Sequence, residues 1–220
     1  MKKLGKIAGR ILEIFLSVLI FLLALPFFLI AIILIQIDSP GPIILGQERV
    51  GKDGKIFKLY KLRTMKKGAD GCNPMHTQVD DPRFTKLCRL VRATTLDELP
   101  QLFNVLIGNM SLIGPRPERP RIVKTYNSKQ REVLKYVPGC LGISQLAFRE
   151  GVVVEKKLEL EVEYYSHSNF FLDTKLLFYT PYVILRDTYK KINGKSNGNS
   201  KNGDRMKMVE KAFLSYRTKV

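Results

Sequence analysis

In the stretch "TLDELP", Thr95 to Pro100, two carboxylates, Asp97 and Glu98, stand side by side in a chain whose net charge is +17. A run carrying Lys86, Arg89 and Arg92 leads into them. The only histidines, His76 and His167, read as surface residues, so catalysis falls to carboxylates. Thr95 and Glu98 have the spacing of a capping box, in which Glu98 would close a helix start. Pro100 offers another start, with a helix running through "QLFNVLIG" to a stop at Gly108. Either way the acids lie at or near a helix N-terminus, where a phosphate is favoured. Adjacent helical residues point about 100 degrees apart, so the two acids suit a division of labour. One could serve as nucleophile or magnesium ligand while the other meets a second oxygen.

Arg116 stands between Pro115 and Pro117, which stiffen the backbone around one guanidinium and suit a bidentate clamp on phosphate. Asp80 and Asp81 form a rival acidic pair, but beside Pro82 they read as a turn or helix cap within a polar loop. The elements around the acids follow from pattern. "IILGQERVG" and "KIFKLYKLRTM" carry strand-like apolar patches joined by "GKDGK", a tight hairpin turn. The second patch fits an amphipathic strand or helix; its basic side, with Lys61 and Arg63, would face lipid headgroups or a nucleotide. "RFTKLCRLVR" predicts a helix with Leu87, Leu90 and Val91 on one face and Lys86, Arg89 and Arg92 largely on the other.

With 220 residues and 45% hydrophobic content, the chain can hold one ordinary domain and an appendage, and it is not disordered. Lys and Arg number 37 against 20 Asp and Glu, which predicts an anionic partner: nucleic acid, an acidic membrane or a phosphorylated substrate. Cys72, Cys88 and Cys140 lack metal-ligand spacing and are odd in number, which argues for a reducing compartment.

Ile11 to Ile37 is almost unbroken apolar sequence, roughly 40 Å long as a helix, and belongs in lipid. It is too long for a signal-peptide core. Lys2, Lys3, Lys6 and Arg10 precede it, and Arg49, Lys52, Lys55 and Lys58 follow, so both ends favour the cytoplasm. With Pro26 near the middle to break the helix, re-entry is expected over a span. Glu13 can pair with Arg10 three residues earlier.

The order of "DSPGPIILGQERVGKDGKIFKLYKLRTM", "DPRFTKLCRLVRATTLDELPQLFNVLIGNMSLIGPRP", "PGCLGISQLAFRE" and "LEVEYYSHSNFFLDTKLL" closely resembles the bacterial sugar transferase family. These are small monotopic phosphoglycosyl transferases, and the likeness runs from Arg10 to about Leu185. It implies an α+β, mainly helical fold. An N-terminal re-entrant membrane helix over 1–40 would precede a cytoplasmic catalytic domain with surface amphipathic helices over 41–189, and a basic linker and tail helix over 190–220. It implies transfer of a sugar 1-phosphate from a nucleotide diphosphate sugar, usually UDP-linked, to polyprenyl (undecaprenyl) phosphate, with UMP released in a ping-pong cycle.

In that resemblance Asp97 is the nucleophile that becomes phosphosugar-linked, and Glu98 its partner in metal or proton handling. Mg2+ bridges the acids and the diphosphate, and Arg92 and Arg116 hold phosphate oxygens. Gln145 and Arg149 match the family and are candidates for nucleotide or sugar contacts. Leu25 stands where a serine is common before the helix-breaking proline. Leu141 stands in place of the threonine of a PGxTG pattern, Glu161 in place of an aspartate, and Glu163 in place of an aromatic residue; these positions read as outside the catalytic core. Downstream glycosyltransferases are possible partners. No motif specifies the sugar, the pathway or the oligomeric state.

Two other classes compete. A membrane-anchored basic binding protein lacks support, because aromatics are not interleaved with the basic runs and no nucleic-acid motif is present. A metal-dependent nucleotide-sugar hydrolase would use the same acids without a lipid acceptor. The tail from Lys190 reads as a Gly/Asn/Ser/Lys linker followed by an amphipathic helix with Met208, Ala212 and Phe213 on one side, expected to be weakly ordered.

Overall fold

The computed structural model describes residues 2–65, 83–148, 154–192 and 200–214. His76, Cys72, Asp80, Asp81 and Arg149 lie outside them. The chain forms two compact units, Met1–Arg49 with Ile56–Leu112, and Val50–Lys55 with Ile113–Val220.

The first unit is led by helix α1 (Lys2–Asp38), which carries Pro26 inside it. The expected interruption at Pro26 is absent: proline withholds one backbone donor, and a helix absorbs that loss as a local bend more readily than as a gap. Ile11, Phe15, Leu23, Phe27 and Ile37 of α1 are exposed, as suits a helix solvated by lipid. Its Phe28, Ala31 and Ile35 are buried on a core with Leu62, Cys88 and Val91, against which Leu96 and Leu99 also pack.

Strands β1 (Ile44–Val50) and β2 (Ile56–Leu62) pair, which settles the second apolar patch as a strand. The expected turn between them is a 3-10 turn, Lys52–Gly54, in which Asp53 and Gly54 take positive φ of 56° and 79°. Helix α2 (Lys86–Ala93) begins at Thr85, whose hydroxyl accepts from Cys88 N–H at 3.3 Å. Its buried face is Cys88 and Val91, whereas Leu90 is 56% exposed, a correction to the expected apolar face. The stripe that meets the core runs through Phe84, Cys88 and Val91 at helical spacing, and Leu90 falls off it. Burial pushes the Cys88 thiol up, so it packs as a small apolar group.

Helix α3 (Gln101–Leu106) follows Pro100 and ends before Gly108, whose φ is +88°, in line with the second of the two helix starts read from the sequence. Its buried face mixes apolar and polar residues, with Leu102 and Val105 on it. Gln101 and Asn104 are buried, while Phe103, Leu106 and Ile107 beyond its end are exposed.

Strand β3 (Ser111–Ile113) spans the division of the chain at Leu112 and Ile113, and β4 (Gly139–Leu141) of the second unit is its sheet partner. Short helices α4 (Pro120–Val123) and α5 (Ser128–Arg131) lie between them, α5 opened by a capping box of Asn127 and Gln130. Helices α6 (Ile143–Ala147), α7 (Val154–His167), α8 (Phe170–Ile192) and α9 (Ser200–Phe213) follow. Ile143, Leu146, Tyr164, Leu176, Val209 and Phe213 share one buried cluster. The tail helix α9 is therefore part of the core, contrary to the weakly ordered tail expected. Phe213, on the expected apolar side, is joined in the core by Val209 and Leu214, and Met208 and Ala212 pack beside them.

Candidate active site

Asp97 and Glu98 occupy a 3-10 turn, Leu96–Glu98, with Leu99 and Pro100 between it and α3. Asp97 is 6% exposed and Glu98 is half-buried. The turn is entered through Thr95 with φ 60° and ψ 12°, a left-handed conformation that costs a threonine of order 1 kcal/mol or more. No capping box forms: the Thr95 hydroxyl donates to Thr94 C=O at 2.6 Å, and Glu98 N–H donates to the Thr95 backbone carbonyl at 3.0 Å. A left-handed Thr95 cannot present its side chain to the following turn, so its geometry serves to turn the chain out of α2. Leu96 and Leu99, on either side of the acids, are the residues that anchor the turn to the core under α1.

Arg92 lies in the last turn of α2, half-buried, with its guanidinium carbon 4.6 Å from the centroid of the Phe84 ring. Stacking on an aromatic face orients the plane of the guanidinium. Lys61 is half-buried on β2. Arg63, just past β2, is 4% exposed; it donates to Ser39 C=O at the exit of α1, and its Nε and Nη1 are buried without a hydrogen-bond partner among the described residues.

Asn104 was not singled out from the sequence. Fully buried on α3, it donates from Nδ2 to Lys58 C=O at 2.7 Å and accepts on Oδ1 from Tyr60 N–H at 3.0 Å. One side-chain amide thus takes the part of a neighbouring strand along β2, the strand that carries Lys61. Tyr60 and Phe103 add an edge-to-face ring contact at 5.7 Å. A second polar set ties α1 to the end of α3. Arg10 donates to Val105 C=O, to Met110 C=O at 3.3 Å and to Glu13 at 3.0 Å, and Glu13 accepts from the Ser111 hydroxyl. The expected Arg10–Glu13 pair is present, and its purpose is attachment.

In the second unit, Arg116 sits in a loop fixed at three successive backbone groups. Gly114 N–H donates to Leu141 C=O at 3.1 Å, Gly139 N–H donates to Pro115 C=O at 3.0 Å, and Arg116 N–H donates to Glu161 Oε1 at 3.1 Å. A Cβ on Gly139 would stand 2.6 Å from Gly114 Cα, and one on Gly142 would stand 3.0 Å from Gly114 O. The close approach of the arginine loop thus excludes a side chain at Gly139 and crowds one at Gly142. Gln145 lies on α6, with its Oε1 buried and unpartnered among the described residues. Arg205 of α9, 4% exposed, donates to the carbonyls of Gln145 and Leu146, both at 3.4 Å.

Among the described residues no group of three or more His, Cys, Asp or Glu could cage a metal ion. The oxygen donors of Asp97 and Glu98 do suit Mg2+, which binds through one or two carboxylates and completes its shell with water and substrate phosphate.

A long exposed apolar helix carried on a mainly helical body, with a buried acid in a turn entered through a left-handed residue, is the pattern of a membrane-associated protein. The chain belongs to the bacterial sugar transferase family, whose model matches residues 4–187. It is 48% identical over 120 residues to a Bacillus subtilis (strain 168) protein provisionally named an undecaprenyl-phosphate N-acetylgalactosaminyl 1-phosphate transferase, covering 54% of this chain and 67% of the relative. It is 41% identical over 158 residues to the B. subtilis sugar transferase EpsL, of uncharacterised activity, covering 72% of this chain and 76% of the relative. A UDP-glucose:undecaprenyl-phosphate glucose-1-phosphate transferase of Escherichia coli (strain K12) is 34% identical over 188 residues, covering 80% of this chain but 40% of the relative.

Proposed function

We propose that this chain transfers a sugar 1-phosphate from a UDP-sugar to undecaprenyl phosphate at the cytoplasmic face of the bacterial cell membrane, releasing UMP and starting a surface polysaccharide or glycoconjugate. The observation that carries this reading is Asp97, 6% exposed in a turn entered through a left-handed Thr95, within a strongly basic chain. Backbone strain and a buried acid are costly for stability and belong where chemistry needs them. Relatives named for this transfer support the donor and acceptor classes.

In the proposed cycle an Asp97 carboxylate oxygen attacks the β-phosphorus of the diphosphate, the bond to the bridging oxygen breaks, and UMP leaves. The enzyme then carries the sugar phosphate as an acyl phosphate, a mixed anhydride with the Asp97 carboxyl group. A phosphate oxygen of undecaprenyl phosphate attacks the same phosphorus and displaces Asp97, giving the lipid diphosphate sugar and regenerating the acid. Arg92 and Arg116 hold phosphate oxygens, with Lys61, Arg63, Gln145 and Arg149 as further phosphate or nucleotide contacts. Glu98 handles the metal or a proton. Asp97 and Glu98 would hold Mg2+, which would supply charge neutralisation for the diphosphate. The logic is electrostatic, since an anionic nucleophile approaches an anionic diphosphate only if cationic groups offset the repulsion.

The membrane arrangement in this reading is a re-entrant α1 with both ends in the cytoplasm. The outward Phe103, Leu106 and Ile107 suit an α3 lying at the lipid surface.

The test is UMP release by the purified, detergent-solubilised full chain given Mg2+ and a panel of UDP-sugars, with and without undecaprenyl phosphate. Lipid-dependent UMP release with one sugar is expected. Release of free sugar phosphate that ignores the lipid would replace this reading with a nucleotide-sugar hydrolase. Asp97→Asn should abolish turnover in a folded, membrane-bound protein, and near-normal turnover would remove Asp97 as the nucleophile.

A further inference from the structure

Of the three backbone bonds that fix the Arg116 loop, two are made by the backbone of Gly139 and Leu141 and one by a side chain, Glu161. Glu161 lies in the middle of α7 and is 2% exposed. The helical stripe through Leu158, Glu161 and Tyr165 faces inward. A leucine would fill that place at no desolvation cost, whereas a buried carboxyl is tolerated only when hydrogen-bonded. Its bonds converge on Oε1, which accepts from Arg116 N–H at 3.1 Å and from the Ser144 hydroxyl at 2.5 Å. Ser144 is itself 3% exposed, on α6. The two prolines already narrow the backbone choices on either side of Arg116, because Pro117 biases it to extended conformations and Pro115 fixes its own φ. Anchoring the Arg116 N–H removes most of the freedom that remains.

We propose that Glu161, held by Ser144, is a positioning residue that fixes the backbone of Arg116 and so aims its guanidinium at the phosphate groups of the nucleotide sugar. The aiming half rests on the phosphate role given to Arg116 above; the anchoring half stands on the hydrogen bonds alone. Glu161, read from the sequence as outside the catalytic core, is therefore joined to it through one backbone bond.

The test uses the full-length protein in detergent with Glu161→Ala, Glu161→Gln, Arg116→Ala and the Glu161→Ala/Arg116→Ala double variant. Residue-resolved amide exchange reads the anchor without turnover. Exchange at Arg116 should rise by about 10-fold or more in Glu161→Ala and return toward the wild-type rate in Glu161→Gln, whose amide oxygen still accepts. Unchanged Arg116 exchange in Glu161→Ala overturns the anchor even if no donor is ever turned over. With the active donor, Glu161→Ala should lower kcat/KM by about 10-fold while Glu161→Gln rescues it, and the loss should shrink below about 2-fold in the Arg116→Ala background. An equal loss in both backgrounds overturns the aiming role and leaves the proposed reaction standing. Should Glu161→Ala fail to fold, Ser144→Ala keeps the carboxyl but removes its second bond. A smaller rise in Arg116 exchange supports the proposal there, and no rise sinks it.

Discussion

Two acids, Asp97 and Glu161, are both nearly inaccessible, yet their surroundings differ. Asp97 sits in a strained turn beside Glu98. Glu161 lies in the apolar interior of the second unit, and that burial pushes its carboxyl up to about 7, against the lowering effect of the Ser144 and Arg116 N–H bonds. Glu118 raises it further and the Arg116 charge lowers it; Tyr165, whose own hydroxyl is raised by burial and then by Glu161, packs on the same stripe. The folded chain therefore holds the Glu161 proton at pH values where the unfolded chain has released it. Stability from this group is fully present below about 4.5 and falls as pH rises toward 7, levelling off above. The effect is bounded at about 3 kcal/mol by the size of the shift. Glu161→Gln should flatten that decline, so that melts at pH 5 and pH 8 differ less for the variant than for the wild type. A variant that declines as steeply as the wild type would assign the loss to other groups.

The sequence exposed Asp97 and hid Glu161 for a physical reason. An acidic pair in a basic chain is visible locally, through charge and through the proline and glycine that bound its turn. The run "LELEVEYY" alternates with a period of two, so its glutamates look solvent-facing; only the helix formed by the whole segment, at 3.6 residues per turn, rotates Glu161 inward between Leu158 and Tyr165. The Arg116 contact then depends on packing between segments 45 residues apart, which no local pattern encodes.

Among the elements, β2 and α3 hold the acid turn from both sides, and Asn104 joins them. Replacing it by alanine leaves Lys58 C=O and Tyr60 N–H without their partner in an interior region. The expected cost is about 2–4 kcal/mol, with a loss of turnover larger than the loss of fold because Lys61 shares that strand. Asn104→Asp should restore only the bond from Tyr60 N–H. Urea melts of the three proteins check the order wild type, Asp, Ala, and equal midpoints for wild type and Ala would show that water replaces the amide without cost.

The tail helix offers a second test at this scale. It lies beyond the family's matched segment, yet Arg205 bonds two carbonyls of α6 and Val209, Phe213 and Leu214 are buried. Buried aliphatic and aromatic side chains contribute about 1.5–3 kcal/mol each, so truncation after Asn199 should lower the melting temperature of the second unit. Unchanged melting on truncation would mean that α9 is dispensable. The strand hairpin and the α3 boundary were legible because alternation, Gly108 and Pro100 are local signals. The tail helix and its apolar side were legible too, but its burial was not, because the surface that covers it comes from distant segments such as α6.

At the scale of the molecule, the attachments of α1 bear on the re-entrant arrangement proposed above. Near its start, Arg10 bonds Val105 and Met110 C=O and Glu13 bonds Ser111; at its exit, Ser39 C=O accepts from Arg63. All of these residues belong to one compact unit. In a straight helix Arg10 and Ser39 would stand about 44 Å apart, longer than the roughly 30 Å hydrocarbon core. A globule built from the rest of that unit is only about 26 Å across. A spanning α1 would carry its two attachment points to opposite faces of the bilayer, where one small globule cannot hold both. The proposed re-entrant arrangement, bent at Pro26, would bring them to one face, and the basic flanks at both ends favour the same side. Single cysteines introduced near residue 5 and near residue 55, in a background with Cys72, Cys88 and Cys140 replaced, should therefore react with a membrane-impermeant maleimide only after the cytoplasmic face is opened. Labelling of one site from outside intact cells and the other only after lysis would establish a spanning helix and require the Arg10 and Arg63 attachments to form in different molecules or at different times.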